Sequence, residues 1–190
     1  MKAYIFLADG FEEVEALTTA DLLIRAGIET KLVKVPVGSI GECKAVRGSH
    51  NIRIKPDLTL GMDTDAKDLL DGDCVILPGG MPGTKNLAVS EDVIAVIKAY
   101  DKAGKYVAAI CAAPSVLGEN GLLKGKNATC FPGFEDKLLG ASFTATGAVA
   151  DGNIITGRSM GSAVTFGLKI IEALLGKDAA EKIEASIYRG

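Results

Sequence analysis

The run Tyr106-Val-Ala-Ala-Ile-Cys-Ala-Ala-Pro-Ser-Val-Leu117 decides the fold. An apolar segment over 106–110 leads without a spacer into Cys111, and residues 112–117 then favour a helix. A short apolar run closed by a turn is the pattern of a strand buried on both faces. The same pattern stands upstream: Ala3-Tyr-Ile-Phe-Leu-Ala8 ends in Asp9-Gly10, and Asp73-Cys-Val-Ile-Leu77 ends in Pro78-Gly79-Gly80. Between these runs the periodicity turns helical. Val14, Leu17, Leu22 and Leu23 mark a helix over 11–26 that Gly27 stops. A second helix over 91–103 has Ser90 as N-cap and Gly104 as its stop.

Further strands are expected at 29–35 and 153–156, extended pieces at 128–131 and 141–150, and helices at 162–175 and 177–187. The glycines at 41 and 48 and the Ser49-His50-Asn51 step suggest a hairpin off the main sheet within 38–54. Strands alternating with helices imply βαβ units, hence an α/β fold with a mostly parallel sheet covered on both faces. No repeat or linker interrupts the pattern, and residues 1–190 read as a single domain. In such sheets the reactive crevice lies beyond the carboxyl ends of the strands. That rule nominates Asp9-Gly10 with the helix that follows, Pro78-Gly79-Gly80, and Cys111.

Composition narrows the function. A net charge of −3 with no Lys/Arg run gives no sign of a nucleic-acid partner. Only six apolar residues, 3–8, separate Met1-Lys2 from Asp9, too few for a signal-peptide core, and no run approaches the ~20 residues that span a membrane. A cytoplasmic protein is expected. The four cysteines, Cys43, Cys74, Cys111 and Cys130, show no C-x-x-C spacing, and the single histidine, His50, clusters with none of them. A zinc site is therefore not expected, and free thiols are.

Cys111 differs from the other three by its context. At a sharp turn between strand and helix it meets unpaired N–H groups, which favour an anion, and elbow hydrolases present their nucleophiles in this way. A thiol near pKa ~8.5 is about 3% thiolate at pH 7, and one lowered to ~5.5 is almost all thiolate, roughly a thirtyfold gain. The plain structural alternative is a buried cysteine at a strand end. Glu12-Glu13-Val14-Glu15 reads most simply as an acidic first helical turn, which suits Glu12 and Glu13. On a helix, residues 12 and 15 share a face and 13 points elsewhere, so one carboxyl can face the crevice. Beside a thiolate it would be protonated and able to exchange protons with a substrate. Gly79 and Gly80 form either an ordinary strand-ending turn or, with the N–H of Ala112, a cradle for a developing oxyanion.

Taken together, Val107-Ala-Ala-Ile-Cys111-Ala-Ala-Pro114, Ala8-Asp-Gly-Phe-Glu-Glu-Val-Glu15, Val75-Ile-Leu-Pro-Gly-Gly80 and Gly157-Arg-Ser-Met-Gly161 resemble, in this order, the motifs of the ThiJ/PfpI superfamily. Within it the match is to the clade of the parkinsonism-associated deglycase (DJ-one) and its bacterial homologues. The resemblance implies a flavodoxin-like three-layer sandwich with a small β-hairpin. It also implies a homodimer and no metal or organic cofactor. It assigns Cys111 as the reactive cysteine, Glu15 as its acid partner, Gly79 and Gly80 as the oxyanion turn, and Arg158 as a residue near the pocket. Arg25 falls in the helix through which the clade dimerises. His50 falls where human-type members carry an arginine near that interface.

Two departures matter. Phe131 stands where some members carry a histidine, and Ala112 stands where protease-like members place one. With His50 in the hairpin, a Cys–His–acid hydrolase is disfavoured. The resemblance then implies a glutathione-independent glyoxalase or protein deglycase. Its partners would be small reactive aldehydes or glycated protein, with a Cys111 thiolate assisted by Glu15. The alternative is a redox sensor or redox-regulated chaperone in which Cys111 oxidises to sulfinate. A noncatalytic dimeric scaffold is the third possibility.

Overall fold

The computed structural model describes residues 1–37 and 45–188. The chain forms β1 (Lys2–Leu7), α1 (Glu13–Arg25), β2 (Glu29–Lys34), the hairpin strands β3 (Val46–Arg47) and β4 (Arg53–Ile54), and β5 (Leu58–Thr59). It continues with β6 (Cys74–Leu77), α2 (Gly83–Ala88), α3 (Glu91–Lys102), β7 (Tyr106–Ile110), α4 (Pro114–Glu119) and β8 (Asn127–Ala128). The last part comprises β9 (Ser142–Phe143), β10 (Ala148–Asp151), β11 (Ile154–Gly157), α5 (Ala163–Leu175) and α6 (Lys177–Ser186).

Seven strands make the central sheet in the order β10-β11-β7-β6-β1-β2-β5, and every pairing is parallel except β10 with β11. The strict alternation of side chains sends each strand's residues into two cores. Tyr4, Phe6, Val75, Leu77, Val107 and Ala109 pack under α3, with Val93, Val96, Ile97 and Tyr100. Ala3, Ile5, Leu7, Ile76, Ala108 and Ile110 pack under α1 and α5, with Ala16, Leu23, Phe166 and Ile170. This is the α/β fold with a mostly parallel sheet covered on both faces that the short apolar runs imply, since strands buried on both faces have no polar face to alternate, and it is the three-layer, flavodoxin-like sandwich that the resemblance implies.

The Ser90 hydroxyl accepts the Val93 N–H at 3.4 Å, capping α3 as expected. The small hairpin forms with Val46 opposite Ile54, while the first part of the expected 38–54 segment, with Cys43, lies outside the described residues. Strand β5, the short helix α2 and a 3-10 helix at Ala66–Asp71 were not expected from the sequence. Among the described residues no helix is long and apolar enough to cross a membrane.

Candidate active site

Strand β7 delivers the chain to Cys111, whose φ is +67. A residue with a Cβ is strained there by about 1–3 kcal/mol and needs its surroundings to hold it. Two backbone bonds do so: the Cys111 N–H donates to the Gly157 carbonyl at 2.9 Å, and the Phe131 N–H donates to the Cys111 carbonyl at 2.8 Å. The end of β11 and the segment after β8 thus grip the elbow from both sides. Cys74 and Cys130 are buried, whereas Cys111 is partly exposed.

Glu15 comes from the first turn of α1 and is only 1% exposed. Its Oε2 accepts the Gly79 N–H at 2.8 Å, and its Oε1 is buried without a hydrogen-bond partner. Gly79 lies against both groups. A Cβ there would sit 2.6 Å from the Cys111 Cβ, 2.7 Å from Glu15 Oε2 and 3.1 Å from the Cys111 Sγ. A side chain at position 79 would therefore displace the thiol or the carboxyl.

The electrostatics of the pair are those of a desolvated site. Burial raises the Glu15 carboxyl from 4.5 to about 7, against the hydrogen bonding of Cys111 and the Gly79 N–H. Burial also pushes the Cys111 thiol up to about 12, helped by the charge and hydrogen bonding of Glu15, while the N–H groups of Ala112 and Gly80 pull it down. The expected lowering of the thiol pKa is thus not met. The α4 helix has only six residues and starts at Pro114, so it contributes little dipole at Cys111. The two N–H groups alone do not offset desolvation next to a carboxylate. The pair gains its one negative charge as pH rises through about 7, and it titrates as a unit.

The other expected site residues divide. The N–H of Gly80 faces the sulfur with that of Ala112, but the N–H of Gly79 is engaged by Glu15 and is not free for an oxyanion. Gly80, at φ +86, packs against the Gly10 carbonyl, where a Cβ would come within 2.6 Å. The Arg158 guanidinium lies 5.5 Å over the Phe143 ring with Nη1 buried and unpartnered. Its charge acts on Cys130 rather than appearing among the influences on Cys111.

The three glutamates are also distributed differently from the helical-wheel expectation. Glu12 is the N-cap, in extended conformation at φ −81 and ψ 116, and so is not on the helix face of Glu15. Glu13, 3% exposed, is not a surface dipole partner. It anchors the hairpin, accepting the His50 N–H at 2.8 Å and the Ile52 N–H at 3.4 Å, with His50 Nδ1 at 2.9 Å. His50 is consequently raised above its ordinary pKa by Glu13 and then Glu12. Among the described residues, Glu12, Glu13 and His50 bring potential metal-ligand atoms within 4.8 Å of one another, and their hydrogen bonds make them an ion-pair cluster. The anchoring role of Glu13 and the clamps by Gly157 and Phe131 carry no local sequence signal, since they join distant segments.

A profile of the DJ-1/PfpI family matches residues 1–173. The chain is 37% identical over 183 residues to the protein dj-1beta of Drosophila melanogaster, covering 95% of this chain and 93% of that one. It is 32% identical over 174 residues to the glutathione-independent glyoxalase DJR-1.2 of Caenorhabditis elegans, covering 90% and 87%. The crystal structure of a mutant DJ-1 superfamily protein from Salmonella typhimurium superposes with a TM-score of 0.87 at 33% identity, covering 100% of this chain and 98% of that one.

Proposed function

The chain belongs to the DJ-1/PfpI family, and on that premise we propose that it is a glutathione-independent glyoxalase acting on methylglyoxal-type aldehydes through Cys111 and Glu15. The observation that carries this is the isolation of one thiol and one carboxyl around Gly79, with the carboxyl raised to about 7. A base with a pKa near the working pH moves protons in both directions with least loss.

The sulfur of Cys111 attacks the aldehyde carbon as its proton passes to the Glu15 carboxylate. The resulting alkoxide is held by the N–H groups of Gly80 and Ala112. Glu15 returns the proton to that oxygen and removes the hydrogen from the same carbon, whose electron pair forms a C=C bond as the neighbouring ketone oxygen takes the negative charge of an enediolate. The hydroxyl proton passes to that oxygen, the first carbon closes to the thioester carbonyl, and Glu15 delivers the abstracted proton to the former ketone carbon. A lactoyl thioester is left, and one water hydrolyses it to lactate and free thiol. Glyoxal gives glycolate by the same route. Early glycation adducts on protein present the same carbinol carbon to sulfur, which extends the reading to a deglycase. A second copy docking through α1, which exposes Val14 and Ile24, would make the active form a homodimer.

The test follows D- and L-lactate formed from methylglyoxal, without glutathione and in amine-free buffer, for the wild type and Cys111→Ser. Lactate from the wild type alone supports the reading, and lactate from neither protein refutes it. One observation favours a redox sensor as a second reading: Cys111 is partly exposed, whereas Cys74 and Cys130 are buried. Mild peroxide followed by intact-mass and peptide analysis should then add two oxygens to Cys111 before either buried thiol. Oxidation in no fixed order would argue against it.

A further inference from the structure

Glu13 puts a buried carboxyl two residues from Glu15, at a place where the thiol chemistry has no direct use for one. Burying such a group is costly unless hydrogen bonds compensate it, and here the turn of the β3–β4 hairpin supplies them. Oε1 accepts the His50 N–H at 2.8 Å and the Ile52 N–H at 3.4 Å. Oε2 accepts the Ser49 hydroxyl at 3.2 Å and lies 2.9 Å from His50 Nδ1. Gly48 opens the same turn and packs so closely that a Cβ there would overlap the Glu13 carboxyl.

Strands β3 and β4 have two residues each. A two-stranded hairpin of that length is not stable by itself, so its place depends on what it docks against. Glu13 is the side chain that ties its turn to the start of α1.

The docked hairpin in turn holds the backbone on which the oxyanion turn rests. Gly10 donates its N–H to the Arg47 carbonyl at 2.7 Å, and Ser49 donates its N–H to the Phe11 carbonyl at 2.8 Å. On the same stretch, the Glu12 N–H donates to the Gly79 carbonyl at 2.9 Å, and Gly80 packs against the Gly10 carbonyl. The Gly80 N–H is one of the two that face the Cys111 sulfur. Hairpin, Gly10–Glu12 backbone and Gly79-Gly80 turn thus form one continuous stack.

We propose that Glu13 is a positioning residue for the reactive site, setting the Gly80 N–H against Cys111 through the hairpin and the Gly10–Glu12 backbone. For turnover this rests on the glyoxalase reading, in which the Gly80 N–H holds the alkoxide. The role needs an acceptor oxygen at position 13 and not a charge, so glutamine fills it and alanine does not. An oxyanion donor displaced by a fraction of its bond length costs rate without costing affinity.

The test measures the NMR resonance and hydrogen exchange of the Gly80 amide, together with kcat and KM for methylglyoxal. In Glu13→Ala the resonance should move and exchange should quicken by about tenfold, as the local structure opens more often. Its kcat should fall by about 10- to 100-fold, with KM changed far less. Glu13→Gln should restore most of both. Gly48→Ala pushes the carboxyl off the turn while leaving Glu13 in place, so it should repeat the alanine signature, and it serves alone if Glu13→Ala does not fold. Val96→Ala opens a cavity in the core under α3 and is the control for a general loss of stability.

A Gly80 amide unmoved in both Glu13→Ala and Gly48→Ala overturns the assignment. So does an equal change of the amide and kcat in Val96→Ala, or an unchanged kcat in variants whose Gly80 amide has moved. A wild type that forms no lactate removes the glyoxalase reading alone, because the Gly80 amide reports the positioning without turnover.

Discussion

The Gly79 N–H donates to Glu15 Oε2 at 2.8 Å across a sequence separation of 64 residues, and this bond orients the carboxyl beside Cys111. It fixes one oxygen of Glu15 and leaves the other, buried and unpartnered, as the one that can carry a proton. Under the proposed glyoxalase reading, the proton on the pair, rather than a preformed thiolate, is the variable that sets reactivity.

Turnover of methylglyoxal should rise with pH through about 7, as the pair loses its first proton, and then level. The Glu15→Gln variant keeps an acceptor for Gly79 but cannot take a proton. Its kcat should fall by about 100-fold or more, the range of a lost general base, and the inflection near neutrality should vanish. A pH–rate profile of both proteins checks this, and an unchanged profile in the variant would remove Glu15 from the chemistry.

Stability should depend on the same carboxyl. The folded-state pKa of Glu15 is raised from 4.5 to about 7, so between these values the native state holds a proton that the unfolded chain has released. Its contribution is fully present below about 4.5 and is lost as pH rises through about 7. Glu15→Gln should therefore gain on the wild type across this window, by on the order of 3 kcal/mol at the upper end. Urea unfolding at pH 5 and pH 8 measures the difference, and a constant gap would contradict it.

Gly79→Ala places a Cβ 2.6 Å from the Cys111 Cβ and 2.7 Å from Glu15 Oε2. Both neighbours are held by backbone bonds, so the overlap cannot be relieved by a flexible chain end. A loss of about 1–3 kcal/mol is expected from overpacking, with turnover reduced far more than binding of the aldehyde. Thermal melting and kcat measured together test it.

Cys111→Gly and Cys111→Ala both remove the sulfur, but only alanine retains a Cβ at φ +67. The glycine variant should be the more stable of the two by about 1 kcal/mol. Neither should form lactate. Equal melting temperatures would mean that the elbow relaxes when the sulfur is removed.

Much of the architecture was legible in residue order. The apolar runs of β1, β6 and β7 are buried on both faces, so they appear as unbroken hydrophobic stretches. The α3 helix carries its own signals at both ends, Ser90 and Gly104. What escaped notice was short: β5 has two residues and α2 has six, too few for a period to emerge, and such elements form only because their surroundings hold them.

The sequence by itself determined that a cysteine would stand on a strand-to-helix elbow, because that requires only a buried strand followed directly by a helix former. It also marked an acidic turn and a Gly-Gly turn at neighbouring strand ends. Tertiary structure decided the rest. It placed Glu12 outside the helix, turned Glu13 to the hairpin and His50, and left Glu15 as the carboxyl against Cys111. It also reversed the expected direction of the thiol pKa. Proton affinity sums burial, charge and hydrogen bonds over segments far apart in the chain, and no local run of residues contains that sum.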